Sequence, residues 1–500
     1  MSVFRAALCC TALMLCAIGA APKHRASAPP PPPERTVVTH HTIELNGRAI
    51  PYAATAGTLT IKNDSGDATA SMFYTAYTAQ AQSDRRPVTF LFNGGPGSSS
   101  IWLRMGSVGP KRVRTPEGTA ALPAPFALDD NPYSLLDKSD LVFVDAVGTG
   151  FSKVVGKGTG KDFWGVDEDV ATFGQFIQSY LSRNGRWNSP KFLFGESYGT
   201  TRSANLVNYL QNKGTSFNGV VLVSTVLNFD LLIPQAGGSD ASYVAFLPTE
   251  AATAWYHNKI ANRPADIGTF VQTVRSFASG EYADALLKGD NVTSGNYADV
   301  VAKLHAYTGL SESYIRLSKL RIPPGRFQKE LLRESDQATG RLDGRYLGYD
   351  LDTVGDSNDY DPSDVAVSGA FVGAFNNYIR KDLNYATTDE YKPTNYGVVN
   401  RGWNWNRGRS SPAATDVAGD LQEAMTKNPH LRVFAANGYY DMATPFYGTE
   451  MTLSHLGLPA ALQPHITYGF YESGHMIYLN TPSLAKLKSD LSRFYDSAIP

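Results

Sequence analysis

The chain has 500 residues, with 45 basic against 46 acidic side chains and a net charge of -1. So balanced a charge excludes a global field that would draw it to nucleic acid or to anionic lipid. A 42% apolar share, with 24 Phe, 27 Tyr and 6 Trp, supplies a sizeable core, which excludes whole-chain disorder; the length suits one large domain carrying an inserted lobe.

In chain order the first feature is a targeting signal. Arg5 supplies positive charge, Ala6 to Ala20 is apolar, and the small residues Gly19, Ala20 and Ala21 suit a signal peptidase. Residues 1–21 therefore read as a signal peptide, and the mature protein is expected in the periplasm or outside the cell. The apolar run is too short to span a bilayer comfortably, so no stable membrane insertion is expected after its removal. It also holds all three cysteines, Cys9, Cys10 and Cys16. The processed chain would carry no disulfide, no cysteine nucleophile and no thiolate metal site. Pro29 to Pro33 favour an extended polyproline spacer, and residues 22–38 read as a tether.

From residue 39 the texture is that of an α/β core. Apolar runs end abruptly in turns, as the strands of a parallel sheet do. Val88 to Phe92 runs into Asn93-Gly94-Gly95-Pro96-Gly97, and Leu141 to Val144 runs into Asp145 and Gly148-Thr149-Gly150. Lys191 to Phe194 runs into Gly195, and Val220 to Val223 follows a helical stretch containing Leu206, Tyr209 and Leu210. Between 235 and 385 come helix-like segments, such as Ala251 to Ile260 and Val300 to Tyr307, among loops rich in Asp, Gly and Tyr. That stretch reads as an inserted cap lobe between a first part of the core, 39–234, and a second, 386–500. The second part opens its strand texture at Leu431 to Ala436.

The chemistry is concentrated in the turns. Gly195-Glu196-Ser197-Tyr198-Gly199 is a G-x-S-x-G set between an apolar strand and a helix, where a sharp turn would expose the serine above the sheet. A serine hydroxyl is a weak nucleophile near neutrality, so it needs a base and the base needs an orienting group. In this fold those follow in the order acid, then histidine, each after a late strand. Asp441 stands in Asn437-Gly438-Tyr439-Tyr440-Asp441, with Glu450 as the fallback, and His475 stands in Gly474-His475-Met476. The glycine-rich loop after Phe92 offers backbone N–H groups for an oxyanion. It is not a phosphate-binding P-loop, since G-x-x-x-x-G-K-[ST] is unmatched there and at Gly156 to Lys161. The fold class is thus α/β, an α/β-hydrolase with a mostly parallel central sheet, flanking helices and an inserted cap.

Taken together, Asn93 to Ser99, Asn131-Pro132-Tyr133-Ser134, Val147 to Ser152, Gly195 to Gly199 and Gly474-His475-Met476 resemble the serine carboxypeptidase family in order and spacing. The resemblance implies Ser197 as nucleophile, His475 as base and Asp441 as its partner. It implies the amides of Gly95 and Tyr198 as the oxyanion hole. It also implies Asn93, the Gly94 amide and a protonated Glu196 as the group that holds a peptide's terminal carboxylate. Peptides are the expected substrates, and neither a metal nor an organic cofactor is called for. Two departures stand out. Ser107 occupies the place of the family's second glutamate, so Glu196 is expected to hold its proton less firmly than a paired carboxyl, losing it between about pH 4 and 7. Ser98 stands where the family usually has a cysteine, which suggests a bacterial-type branch. Rival readings are an esterase or acyltransferase on the same triad, and a catalytically silent binding protein.

Overall fold

Runs such as Val88–Phe92, Asp140–Val144 and Gly219–Val223 are buried at every position, as strands covered on both faces must be. In the computed structural model, which describes residues 31–80, 83, 85–234, 239–407 and 415–499, they form the middle of a ten-stranded sheet. The strands on its main path are β1 (Thr36–Leu45), β2 (Arg48–Lys62), β3 (Ala68–Ala79), β4 (Val88–Phe92), β5 (Asp140–Val144), β6 (Lys191–Glu196), β7 (Gly219–Val223), β8 (Arg432–Gly438) and β9 (Ile466–Tyr471). Their order is β1-β2-β3-β5-β4-β6-β7-β8-β9. The pairs β1/β2, β2/β3 and β3/β5 are antiparallel, and all later pairs are parallel.

The expected signal peptide and the tether as far as residue 30 lie outside the described residues. The tether ends earlier than expected, because Thr36, Val37 and Val38 already pair with Gly57, Ala56 and Thr55 in β1/β2. The β-branched alternation that begins at Thr36 suits an edge strand better than a polyproline spacer.

Alternation along each strand sorts the core onto two faces. Leu91, Phe143, Phe194, Val221 and Ala436 point to one side, where they meet the helices Pro362–Lys381 and Thr481–Ala498. Phe90, Val142, Leu193, Leu222 and Ala435 point to the other, against α1 (Val166–Arg183) and α2 (Tyr198–Gln211). A third apolar cluster joins the helices Ala241–Tyr256, Ile267–Phe277 and Ser294–Thr308 to Tyr440, Met442 and Phe446. The residues from 362 to 381, assigned from sequence to the inserted lobe, therefore pack with the sheet. No helix among the described residues is long and apolar enough to cross a membrane.

The register sets the site. Phe92 lies opposite Gly195, Val223 opposite Glu196, and Ala436 opposite Val223. The carboxyl ends of β4, β6, β7 and β8 thus finish along one edge, where open α/β sheets bind their ligands.

Candidate active site

Ser197 sits between the last residue of β6 and the first of α2, with φ 61° and ψ -131°. A non-glycine residue at positive φ is strained and persists only where its surroundings hold it. Here Ser197 N donates to Val223 O at 3.0 Å, and Ser197 O accepts from Thr200 N at 2.8 Å. The turn is tight enough that a Cβ on Gly195 would come 2.1 Å from Gly199 O. The hydroxyl stands at the amino end of α2, where unsatisfied N–H groups carry partial positive charge.

Asp441 lies in the turn after β8, fully buried. Its Oδ1 accepts from the amides of Ala443 and Thr444 at 2.8 and 2.9 Å. Its Oδ2 accepts from Thr444 Oγ1 at 2.7 Å and lies 2.8 Å from His475 Nδ1. The His475 backbone is held from two further elements: its N donates to Leu342 O at 2.6 Å, and its O accepts from Ser224 Oγ at 2.6 Å. Burial depresses the imidazole's basicity, but the Asp441 carboxylate, its hydrogen bond and Glu196 outweigh that, so His475 is raised above its ordinary range. With Nδ1 engaged by Asp441, Nε2 is the ring nitrogen left free of that pairing. Glu450, the fallback acid, instead pairs with Arg275 at 2.8 Å.

The loop after β4 lies directly on the start of α2. A Cβ on Gly94 would fall 2.4 Å from Tyr198 N and 2.5 Å from Gly199 N, so only glycine admits this approach. Arg202 secures the junction from beneath, donating to Asn93 O at 2.8 Å and to Asp169 Oδ2 at 2.6 Å. On the outer side the 393–400 segment clasps the loop, with Ser99 N donating to Pro393 O at 2.9 Å and Asn395 N to Gly97 O at 2.7 Å. Among the described residues, the amides of Gly95 and Tyr198 donate to no backbone acceptor.

Glu196, next to Ser197, is 2% exposed. Asn93 Nδ2 donates to its Oε1 at 2.7 Å, while Oε2 is buried with no hydrogen-bond partner. Burial pushes the carboxyl up to about 7; His475 and Tyr478 pull it down and Asp441 adds an upward push. That lies at the upper end of the range, about pH 4 to 7, expected for a lone Glu196. Desolvation does what a second carboxyl would do elsewhere. Ser107 takes no part, since its Oγ donates back to Leu103 O at 2.7 Å.

Asn93, Gly94, Gly95, Glu196, Ser197, Tyr198 and His475 all line one cavity of about 700 Å³. Trp102, Phe229 and Tyr396 give it apolar walls, and Arg341, Asp361 and Asp364 are its charged residues away from Ser197. The chain matches the family model described as "Serine carboxypeptidase" over residues 48–468. It belongs to the serine carboxypeptidase family. No curated protein matches it. Among solved structures, a prohormone-processing carboxypeptidase from Saccharomyces cerevisiae is similar at 14% identity and a TM-score of 0.53, with 89% of this chain and 91% of that one covered. A proline iminopeptidase from Mycobacterium smegmatis has 12% identity and a TM-score of 0.38, with 89% and 98% covered. A putative aryl esterase from Burkholderia cenocepacia has 13% identity and a TM-score of 0.34, with 88% and 98% covered.

This serine carboxypeptidase is a serine hydrolase on an α/β-hydrolase fold, and the site holds residues that sequence reasoning missed. Thr444 buttresses Asp441, and the D-x-x-T spacing of a side-chain-capped turn was the available signal. Leu342 and the 393–400 segment had none, because each reaches the site from a distant part of the chain, while Tyr478 lies only three residues past His475 and was passed over.

Proposed function

We propose that this carboxypeptidase shortens peptides from the C-terminus through an acyl-enzyme. Ser197 Oγ attacks the last peptide carbonyl as His475 Nε2 takes its proton, and Asp441 holds the imidazole in the required tautomer. The amides of Gly95 and Tyr198 stabilise the oxyanion. The imidazolium then gives the proton to the departing amine, and water activated by His475 cleaves the Ser197 ester. Asn93, the Gly94 amide and a protonated Glu196 receive the substrate's terminal carboxylate.

The observation that carries the reading is Glu196 itself, a buried carboxyl with one unpartnered oxygen, held at about 7, beside the nucleophile. A protonated carboxyl donates to an anion that an ionised one would repel. Mass spectrometry of a mixed peptide pool after incubation tests it: below about pH 7 free-acid peptides should lose single C-terminal residues faster than their amidated forms do. Ser107 in place of a second glutamate favours one alternative, an esterase or acyltransferase on the same triad. Hydrolysis of simple esters with every peptide left intact would establish that alternative instead. Residues 1–21 have the composition of a signal peptide, which supports an exported location, periplasmic or secreted.

A further inference from the structure

Glu196 faces Asn93, Tyr478, His475 with Asp441 behind it, and Tyr396. Of these, Tyr478 is unused by the mechanism above. Its ring is buried, and its Oη, like Glu196 Oε2, has no hydrogen bond of normal geometry. The two side chains nevertheless lie close enough to bias each other's ionisation, and Tyr478 Oη also acts on Asn93. One hydrogen bond between the orphaned atoms would satisfy both, and buried polar atoms are rarely left unsatisfied.

The space for this ring is made by Gly106. A Cβ on Gly106 would lie 2.5 Å from Tyr478 Cε2 and 2.9 Å from Phe371 Cζ. Ser107 beside it is folded back on Leu103 O. Where the family resemblance places a second carboxyl, this chain has a serine, and an aromatic side chain comes in from the turn Ile477–Leu479 just after the catalytic histidine.

We propose that Tyr478 is the positioning residue of the carboxylate clamp: its hydroxyl donates to Glu196 Oε2 and so aims the Glu196 proton at the substrate's terminal carboxylate. This rests on the reading of Glu196 as the clamp. The phenol thereby supplies the orientation that a second carboxyl would give, without adding a charge that could itself repel the substrate. A donor to Oε2 also favours the ionised carboxyl, so removing the hydroxyl shifts Glu196 to hold its proton at higher pH.

Tyr478→Phe keeps the ring and deletes the donor. For a free-acid peptide KM should rise about tenfold, in line with one lost buried hydrogen bond, with kcat changed far less. The same peptide capped as an amide or ester should be turned over as by the wild type, which also reports that the variant is folded. The pH at which the free-acid to capped ratio falls should move upward. An equal loss on both substrates would assign Tyr478 to the support of the His475 turn and overturn the proposal, as would an unchanged ratio. Glu196→Gln run alongside separates the two levels. If it flattens the ratio's pH dependence while Tyr478→Phe does nothing, only this inference fails; if neither variant alters the ratio, the clamp reading fails with it.

Discussion

Glu196→Gln separates the charge of the buried carboxyl from its capacity to donate a hydrogen bond. In the wild type the carboxyl is held at about 7 by burial. It is neutral and donating below that pH, and anionic above it. A free-acid substrate is therefore favoured at low pH and disfavoured as pH rises through about 7, whereas a capped substrate meets no such repulsion. If only the protonated form accepts the terminal carboxylate, the free-acid to capped ratio of kcat/KM should fall about tenfold between about pH 6 and pH 8, following the protonated fraction. His475 serves both substrates, so its titration cancels in the ratio. The side-chain amide introduced by Glu196→Gln still donates but does not ionise, so the ratio should become flat. A second readout comes from the histidine. Ionised Glu196 helps to raise His475, so its removal should shift the acid limb of the capped substrate to lower pH. Initial rates on one peptide and its amide or ester, at matched ionic strength, make the measurement. A pH-independent ratio in the wild type, or an undiminished fall in the variant, refutes the assignment.

Ser197→Ala should fold normally and lose turnover by about 10⁴-fold or more, as removal of a triad nucleophile does elsewhere; a purified, folded variant keeping a tenth of the activity would remove Ser197 from the mechanism. Gly94→Ala forces a methyl onto the Tyr198 and Gly199 amides, where it would lie 2.4 and 2.5 Å away. Its kcat should drop about 100-fold or more, the scale of a lost oxyanion donor, and its thermal midpoint should fall as overpacking costs roughly 1–3 kcal/mol; unchanged kinetics would show the loop to be irrelevant to the oxyanion. On the signal-peptide reading of residues 1–21, the mature protein should begin near residue 20 to 22 and titrate no thiol, and a mature N-terminal mass that includes Cys9 would contradict that reading.

The central strands were legible because burial on both faces writes itself as unbroken apolar runs. Val88–Phe92 and Gly219–Val223 needed no tertiary information to be recognised. The antiparallel flank was harder to place. Strand β2 carries Pro51, Gly57 and four alanines, residues with weak strand preference of their own; it is ordered by pairing with β1 and β3. The helix Ala241–Tyr256 starts ahead of the expected Ala251 and carries Pro248 in its interior. A proline reads locally as a helix boundary, and the apolar packing of Tyr243, Val244 and Leu247 on the lobe's cluster overrides it.

The site divides along the same line. Ser197, Asp441 and His475 could be put forward from sequence because acyl transfer would dictate their order, and the structure sets Asp441 2.8 Å from His475 and Ser197 and His475 on one cavity. What tunes them was not legible, because it depends on what covers them. The loss of a second glutamate at Ser107 argued from sequence for a loosely held proton on Glu196, since two close carboxyls raise one pKa by repulsion. Burial reaches the same end by another route: a carboxylate cut off from water is disfavoured whether or not an anion stands beside it. Glu196 is 2% exposed because the Gly94 loop, the His475 turn and the Tyr478 ring close over it. The clamp proposed for Glu196 would tolerate a serine at 107 as long as those three elements keep water out. Its pH dependence is thus set by the packing around Glu196, and substitutions that loosen that packing should shift it without touching the carboxyl itself.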